Sequence, residues 1–406
     1  MKRHITPLLH ELIGLFPCVA ILGVRQCGKT TLLQALGNEW KIYDLEKAGD
    51  FDQVAKDPDL FLRLNPRHIA FDEAQRLPEI FPALRVAIDS DREKSGRFVL
   101  TGSSSPDLKK AISESLAGRI AIIELGPFNL AEAYALPPSG FFQSLLAPNA
   151  LHQLQRLEPR VNITDVFDYW FSGGYPEPWV KKQSRFHDLW MQNYTQTYID
   201  RDILHLFPGL NREKFRLFLQ MLGALNGTVI NYSDIARVLG VSQPTVRDYF
   251  NIAHGTFVWR HMPAFSRQIG KRIVKHPKGH LRDSGLLHFL LRLGDRNALM
   301  SHPSMGRSWE SMVIENILRG LDIQGIHYEY AYYRTGGGAE IDLILDGTFG
   351  LIPIEIKFAQ TIHPRSLRSL RDFVREQQCP FGIVINNAER VCLYDENLVG
   401  IPFGCL

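Results

Sequence analysis

The chain is poor in cysteine. Five occur in 406 residues: Cys18, Cys27, Cys379, Cys392 and Cys405. Their number is odd and no two stand as C-x-x-C. That excludes a simple disulfide framework and predicts free thiols in a reducing compartment, the cytoplasm. Long apolar runs are also missing. None approaches the roughly 18 uncharged apolar residues that a membrane-spanning helix needs. Met1-Lys2-Arg3 ahead of Leu8–Leu22 has the outline of a signal peptide, but His10 and Glu11 interrupt the run, so secretion is not expected. Charge of one sign is not in surplus either. The formal net charge is +3, which carries no argument for nucleic acid unless basic residues cluster locally. There is no internal repeat and no low-complexity segment. What remains is ordinary soluble composition, 45% apolar and 22% charged, in a length that predicts two to four domains.

One stretch stands out against this background. Gly23-Val24-Arg25-Gln26-Cys27-Gly28-Lys29-Thr30-Thr31 reads G-x-x-x-x-G-K-T. An apolar run, Cys18–Leu22, precedes it as a buried strand, and Leu32–Leu36 follows it as the first turns of a helix. This strand–loop–helix context is the one a phosphate-binding loop requires. Gly23 and Gly28 permit dihedrals that a Cβ forbids. The helix start offers free N–H groups to phosphate. Lys29 supplies a charge to the β- and γ-phosphates, and Thr30 a hydroxyl to Mg²⁺. The loop thus predicts ATP with Mg²⁺. Cys27 is either a redox brake on the loop or simply a small residue, and the second reading is preferred.

An acidic partner should follow. Arg67–Gln75 provides one: a short apolar strand ending in Asp72-Glu73. Asp72 would hold the metal through water, and Glu73 would polarise the attacking water. Ile5–Phe16 and Pro78–Asp89 have helical spacing, and Trp40–Leu45 reads as a second strand. Arg97–Ser105 is a strand running into a polar turn, where Ser103 or Ser104 touches the γ-phosphate or merely caps the helix Pro106–Leu116. That helix stops at Gly118. Arg119 follows, either as an arginine finger reaching a neighbouring subunit or as a surface residue after a C-cap glycine, and the strand Ile120–Leu125 comes next.

This run resembles the AAA+ ATPases. More closely it resembles a prokaryotic family that joins such a core to a C-terminal domain of unknown function. The resemblance rests on GVRQCGKTTL, FDEAQ, LTGSS, ESLAGR, FSGGYPEP, YIDRDI, RDSGLL, WESMVIENIL and EIDLIL…PIEIK, and extends to about residue 360. It implies a parallel sheet with nucleotide at the carboxyl ends of its strands.

Tyr134–Pro159 is weakly patterned and reads as a possible insertion. Phe167–Tyr198 is aromatic-rich. Within Tyr198–Ile203, Arg201 either senses nucleotide or pairs with a flanking aspartate, the latter preferred. Phe215–Leu225 is amphipathic. Tyr232–Gly240 reads as a short helix with a Ser N-cap and a Gly stop, and Ser242–Phe250 as a second helix capped by Ser242, with Pro244 in its first turn. This is a helix-turn-helix, with Phe257–Arg260 as a wing strand. On duplex DNA, Gln243, Thr245 and Arg247 would face the groove and Arg237 a phosphate. The basic run Arg267, Lys271, Arg272, Lys275, His276 and Lys278 would bind backbone. The alternative use of such a unit is as a lid or protein contact.

Downstream, a helix opens at Gly306-Arg307-Ser308-Trp309-Glu310. Strands follow at His327–Tyr333, Ala339–Leu345 and Leu351–Lys357, then a helix Arg368–Glu376 and a final strand Gly382–Ile385. Asp342, Glu355 and Lys357 fit D-x(n)-E-x-K. Two carboxylates on adjacent strands can share Mg²⁺. Glu355 and Lys357, two apart on a strand, point to one face, so the lysine can orient water. The order of elements resembles the PD-(D/E)xK nucleases, although Asp342 follows Ile341 rather than a proline. In the enzymes that this set resembles a glutamate on the preceding helix completes it, which implies Glu310 here, with Glu315 as the alternative.

The expected fold class is α/β. It comprises a P-loop parallel-sheet ATPase core (1–135), a helical lid or connector (136–212), a winged helix-turn-helix (213–285) and a restriction-endonuclease-like α/β domain (286–406). The expected function is an oligomeric AAA+-like ATPase acting on duplex or branched DNA. The alternative is a nucleotide-operated DNA- or protein-binding switch that cuts nothing. A small-molecule kinase is the weakest reading.

Overall fold

The structure, a computed structural model, describes residues 2–103, 108, 112, 114–198, 203, 207, 209–266 and 276–406. The chain divides into two compact units, Met1–Pro127 with Gly255–Phe257, and Phe128–His254 with Val258–Leu406. The segments expected as connector, winged helix and C-terminal domain therefore share one unit.

In the first unit the apolar runs become strands β1 (Cys18–Gly23), β2 (Lys41–Asp44), β3 (Ile69–Asp72), β4 (Phe98–Ser103) and β5 (Ile120–Leu125). They form a wholly parallel sheet in the order β2-β3-β4-β1-β5. Strands covered on both faces need unbroken apolar sequence, and β1 is buried at every position. The connection leaving β1 runs towards β2, while that leaving β4 runs the other way to β5. A crevice at the carboxyl ends follows from this reversal. Two helices escaped the pattern reading, Ala48–Ala55 and Pro58–Leu64. The second begins at a local signal: Asp57 accepts from the Leu60 N–H at 2.9 Å, just ahead of Pro58.

The second unit is built on the helix Met305–Ile323 and a six-stranded sheet. Its strands are β9 (Tyr328–Arg334), β10 (Glu340–Gly347), β11 (Gly350–Ile356), β12 (Gly382–Asn386), β13 (Cys392–Asp395) and β14 (Leu398–Pro402). The order is β13-β14-β12-β11-β10-β9. β9, β10 and β11 run antiparallel, while β11, β12 and β14 run parallel, with the helix Arg368–Gln377 crossing from β11 to β12. The sheet does not end at β12 as the sequence suggests. β13 is an exposed edge, and β14 carries a glycine and a proline, so neither advertises itself as a strand. Nor is Tyr134–Pro159 an insertion. Phe141, Phe142, Leu145 and Leu154 enter the same core as Trp309, Ile317, Leu345 and Ile354.

Within this unit, helices Arg212–Leu225, Tyr232–Leu239 and Gln243–Gly255 accompany three short strands, β6 (Thr228–Val229), β7 (Trp259–Met262) and β8 (Lys278–Leu281). The strands form an antiparallel sheet in the order β6-β8-β7. That is the topology of a winged helix-turn-helix. The cap of Tyr232–Leu239 is Asn231, not a serine: its side chain accepts from Ser233 and Asp234 N–H. Gly240 ends that helix with φ +61°, a value glycine adopts without strain. Among the described residues no helix is long and apolar enough to cross a membrane.

Candidate functional site

The loop after β1 is held from several sides. Gly23 lies so close to the end of β5 that an added Cβ would stand 2.1 Å from the Leu125 carbonyl oxygen. Gly28 has φ +98°, the other position where the loop requires glycine. Arg3 donates to the Cys27 carbonyl at 2.6 Å and to the Gly126 carbonyl at 2.8 Å, tying the amino-terminal segment to the loop. Lys29 is buried, and its ammonium donates to the Gly23 and Val24 carbonyls at 3.0 Å each. The loop thus stores its own cation. Val24, Arg25, Gln26, Cys27 and Thr31 complete it, with Cys27 buried and Gln26 at φ +60°.

The acidic pair arrives at the same end of the sheet. Thr30 Oγ1 donates to Asp72 Oδ2 at 2.6 Å. Thr101, on β4 beside β3, donates to Asp72 Oδ1 and accepts from the Glu73 N–H at 3.2 Å. Glu73 takes φ +55°, and its carboxylate accepts from the Gln75 side chain. The pattern reading missed Thr101, Gln75 and Arg3. Thr101 was signalled as the one polar residue inside the apolar run Phe98–Leu100 and Gly102. Ser103 closes β4 opposite Gly23; Ser104 and Arg201 lie outside the described residues. Arg119 sits at the amino end of β5, the opposite end from the phosphate loop. It forms a two-point pair with Asp89, at 2.8 and 2.9 Å.

A second constellation lies in the C-terminal sheet. The register pairing Leu343 with Ile354 sets Asp342 across from Glu355 one step further along. A bulge between Ile341 and Ile344 in the β9–β10 ladder re-aims β10 at this point. Asp342 accepts from the Ile356 N–H at 2.8 Å. Glu355 Oε1 meets the Lys357 ammonium at 2.5 Å, while its buried Oε2 has no partner. Burial, and then Asp342, push Glu310 up to about 8 and Glu355 up to about 7. Burial also raises Asp342. Lys357 is pulled down by burial, but Glu355, Asp342 and Glu310 together outweigh this and the net shift is upward. Glu310, Asp342, Glu355 and Lys357 thus feel one another. Among the described residues no three His, Cys, Asp or Glu side chains already stand as a metal cage.

Glu315 is engaged elsewhere. It is buried between Arg260, Arg282, Arg319 and His280, at 3.2 Å from Arg282 Nε, 3.6 Å from Arg319 Nε and 3.0 Å from His280 Nε2. Of the two helical glutamates, Glu310 alone faces Asp342.

On the helix-turn-helix, Gln243 and Arg247 are exposed and Thr245 is half-buried. The Thr245 hydroxyl pairs with Ser242, whose Oγ also caps the helix. Arg247 lies 4.5 Å over the Tyr232 ring, and Arg237 pairs with Asp234 at 3.3 Å. Of the basic run, Arg267, Lys271, Arg272 and Lys275 lie outside the described residues.

Comparison with known proteins bears on this arrangement. "Uncharacterized protein Mb2031c" of Mycobacterium bovis and "Uncharacterized protein Rv2008c" of Mycobacterium tuberculosis are each 31% identical over 403 residues, covering 99% of this chain and 83% of theirs. The chain belongs to their family. A family model described as an AAA domain matches residues 16–134. Domains of unknown function match 163–297 (DUF8612) and 305–406 (DUF4143). Among solved structures, a Walker-type ATPase of Pyrococcus abyssi is 15% identical, covering 72% of this chain and 95% of that one at a TM-score of 0.38. RuvB of Thermotoga maritima is 17% identical, covering 65% and 90% at 0.31. The family member described here carries a nucleotide-binding P-loop ATPase core of AAA+ type.

Proposed function

We propose that this protein hydrolyses ATP in order to act on DNA, as a homo-oligomer in the cytoplasm. The observation that carries the ATPase half is Thr30 bonded to Asp72 beside the looped Lys29. Lys29 would leave its carbonyls for the β- and γ-phosphates, Thr30 and, through water, Asp72 would hold Mg²⁺, and Glu73, released from Gln75, would take the proton of the attacking water. When bound, the metal would supply positive charge against the phosphates. Ser103 is a further candidate near the γ-phosphate. Arg119, at the far end of β5, suits a finger into a neighbouring copy better than any role in its own site.

The DNA half is supported by the winged-helix topology, with Gln243, Thr245 and Arg247 at the start of its second helix and Arg237 on the helix before it. It is supported also by the second constellation. Asp342 and Glu355 fit a hard divalent cation: they are oxygen donors on adjacent strands, and one buried carboxylate oxygen is orphaned. Glu310 and Lys357 flank them, the lysine placed to orient water or to meet phosphate. When bound, such a cation would activate water and steady a phosphoryl oxygen.

Two measurements test this. ATP turnover should rise with single-strand, duplex or junction DNA, and no response to any of the three would remove DNA as the substrate class. Wild type should nick plasmid or junction DNA with Mg²⁺, and Glu355→Ala should not. Equal background in both would favour the second reading, a nucleotide-driven switch whose nuclease-like domain grips without cutting. The two lysine ammoniums lying against the acidic cluster favour that reading specifically.

A further inference from the structure

The acidic cluster holds a cation that does not come from its own sheet. Lys278 opens β8, the central strand of the winged-helix sheet, where it pairs with Met262 on one side and Val229 on the other. Its side chain is only 11% exposed, because it leaves that sheet and enters the carboxylate cluster. The ammonium stands 2.9 Å from Glu340 Oε1 and 3.8 Å from Glu310 Oε2. Lys357 fills the other flank, against Glu355 Oε1, and Glu355 Oε2 is left buried and unpartnered.

Charge bookkeeping gives this meaning. With all groups ionised, Glu310, Glu340, Asp342 and Glu355 supply four negative charges against two ammoniums. The surplus of two is what one divalent cation cancels. The orphaned Glu355 oxygen and Asp342 mark where it would sit. Buried carboxylates left without a counter-charge are costly, so the cluster favours a cation at each position. A flexible ammonium with three donors can occupy the place of a second ion without its ligand-geometry demands.

We propose that Lys278 is a tethered stand-in for a second metal ion, so that the C-terminal site takes a single hard divalent cation between Asp342 and Glu355. Lys278 is a positioning residue here: it sets how many ions the cluster accepts. This rests on the metal-binding reading of that cluster. It adds that the winged-helix sheet supplies part of the site's charge, which the D-x(n)-E-x-K pattern does not contain.

The test is a Mn²⁺ titration of the full chain without nucleotide, followed by calorimetry or by loss of the free-ion paramagnetic signal. Glu355→Ala reports ions bound elsewhere and is subtracted. Wild type should then show one ion, Lys278→Met two, and Lys278→Arg one. Lys278→Gln, closer in polarity, serves if the methionine variant does not fold, and should also show two. One ion in wild type and still one in the neutral variants overturns the role of Lys278 while keeping the metal site. Two ions already in wild type overturn it as well, and so does none in wild type with one or more in a neutral variant. No difference from Glu355→Ala in any variant removes the metal site itself.

Discussion

Glu315 offers the sharpest test of how the second unit is held together. Its carboxylate is 2% exposed and faces three guanidiniums and an imidazole, each 6% exposed or less. Arg260 and His280 come from β7 and β8, Arg282 follows β8, and Arg319 lies one turn on along the helix. A single carboxylate therefore joins the winged-helix sheet to the helix that also carries Glu310. Glu315→Gln keeps the volume and one acceptor but removes the negative charge that three buried guanidiniums face. Removing one partner of a buried pair costs about 3–5 kcal/mol, and a loss in that range is expected. For a unit this size that is a fall in Tm of about 10 °C. Tryptophan fluorescence reads the right transition: of six tryptophans only Trp40 lies in the first unit. The pH dependence has a definite sign. The Glu315 carboxyl is held well below its usual range by Arg260 and Arg282 despite burial. It therefore stabilises fully above the unfolded-state value near 4.5, and that contribution is lost as pH falls towards the lower folded value. His280 is depressed by burial. The unfolded chain thus binds its proton more readily, and stability also falls as pH drops below about 6.5. Acid should weaken wild type, and Glu315→Gln should lose the part of that slope below pH 4.5. A melting temperature within 1 °C of wild type would refute the account of Glu315 as the clasp's counter-charge.

Three further outcomes follow from the ATPase site. Glu73→Gln should bind ATP normally and lose turnover by 100-fold or more, read by phosphate release beside nucleotide titration; hydrolysis at the wild-type rate would remove Glu73 as the base. Thr101→Val strands a buried Asp72 oxygen and frees the Glu73 N–H, and should cost about 1–3 kcal/mol of stability or activity together; an unchanged variant would make the Thr101 hydroxyl incidental. Arg119→Ala should leave ATP affinity intact and lower turnover 10-fold or more, with activity partly restored by mixing with Glu73→Gln chains, since each supplies what the other lacks. Asp89→Ala frees Arg119 and should not lower turnover; a matching loss in both variants would assign Arg119 to the cis ion pair instead.

What was legible in the sequence is what depends on short range. The phosphate loop, its strand and its helix are contiguous, so Gly23 to Thr31 announced themselves, and the apolar runs of β1 and β3 follow from burial on two faces. Asp342, Glu355 and Lys357 were readable because strand alternation and one hairpin register bring them together. Thr101 was not, because its role exists only through β4 lying beside β3, a pairing between residues almost thirty apart. Glu315 and Lys278 were less readable still. No local pattern separates a glutamate that clasps three arginines from one that faces Asp342, five residues earlier on the same helix. What separates them is which neighbour packs against each turn. The last turn of the question is the same for Lys278: in sequence it ends a basic run suited to a DNA backbone, and in the fold that lysine turns inward to carboxylates. On the phosphate-binding expectation, neutralising the run's other basic residues should flatten the salt dependence of DNA affinity, and neutralising Lys278 should leave it unchanged.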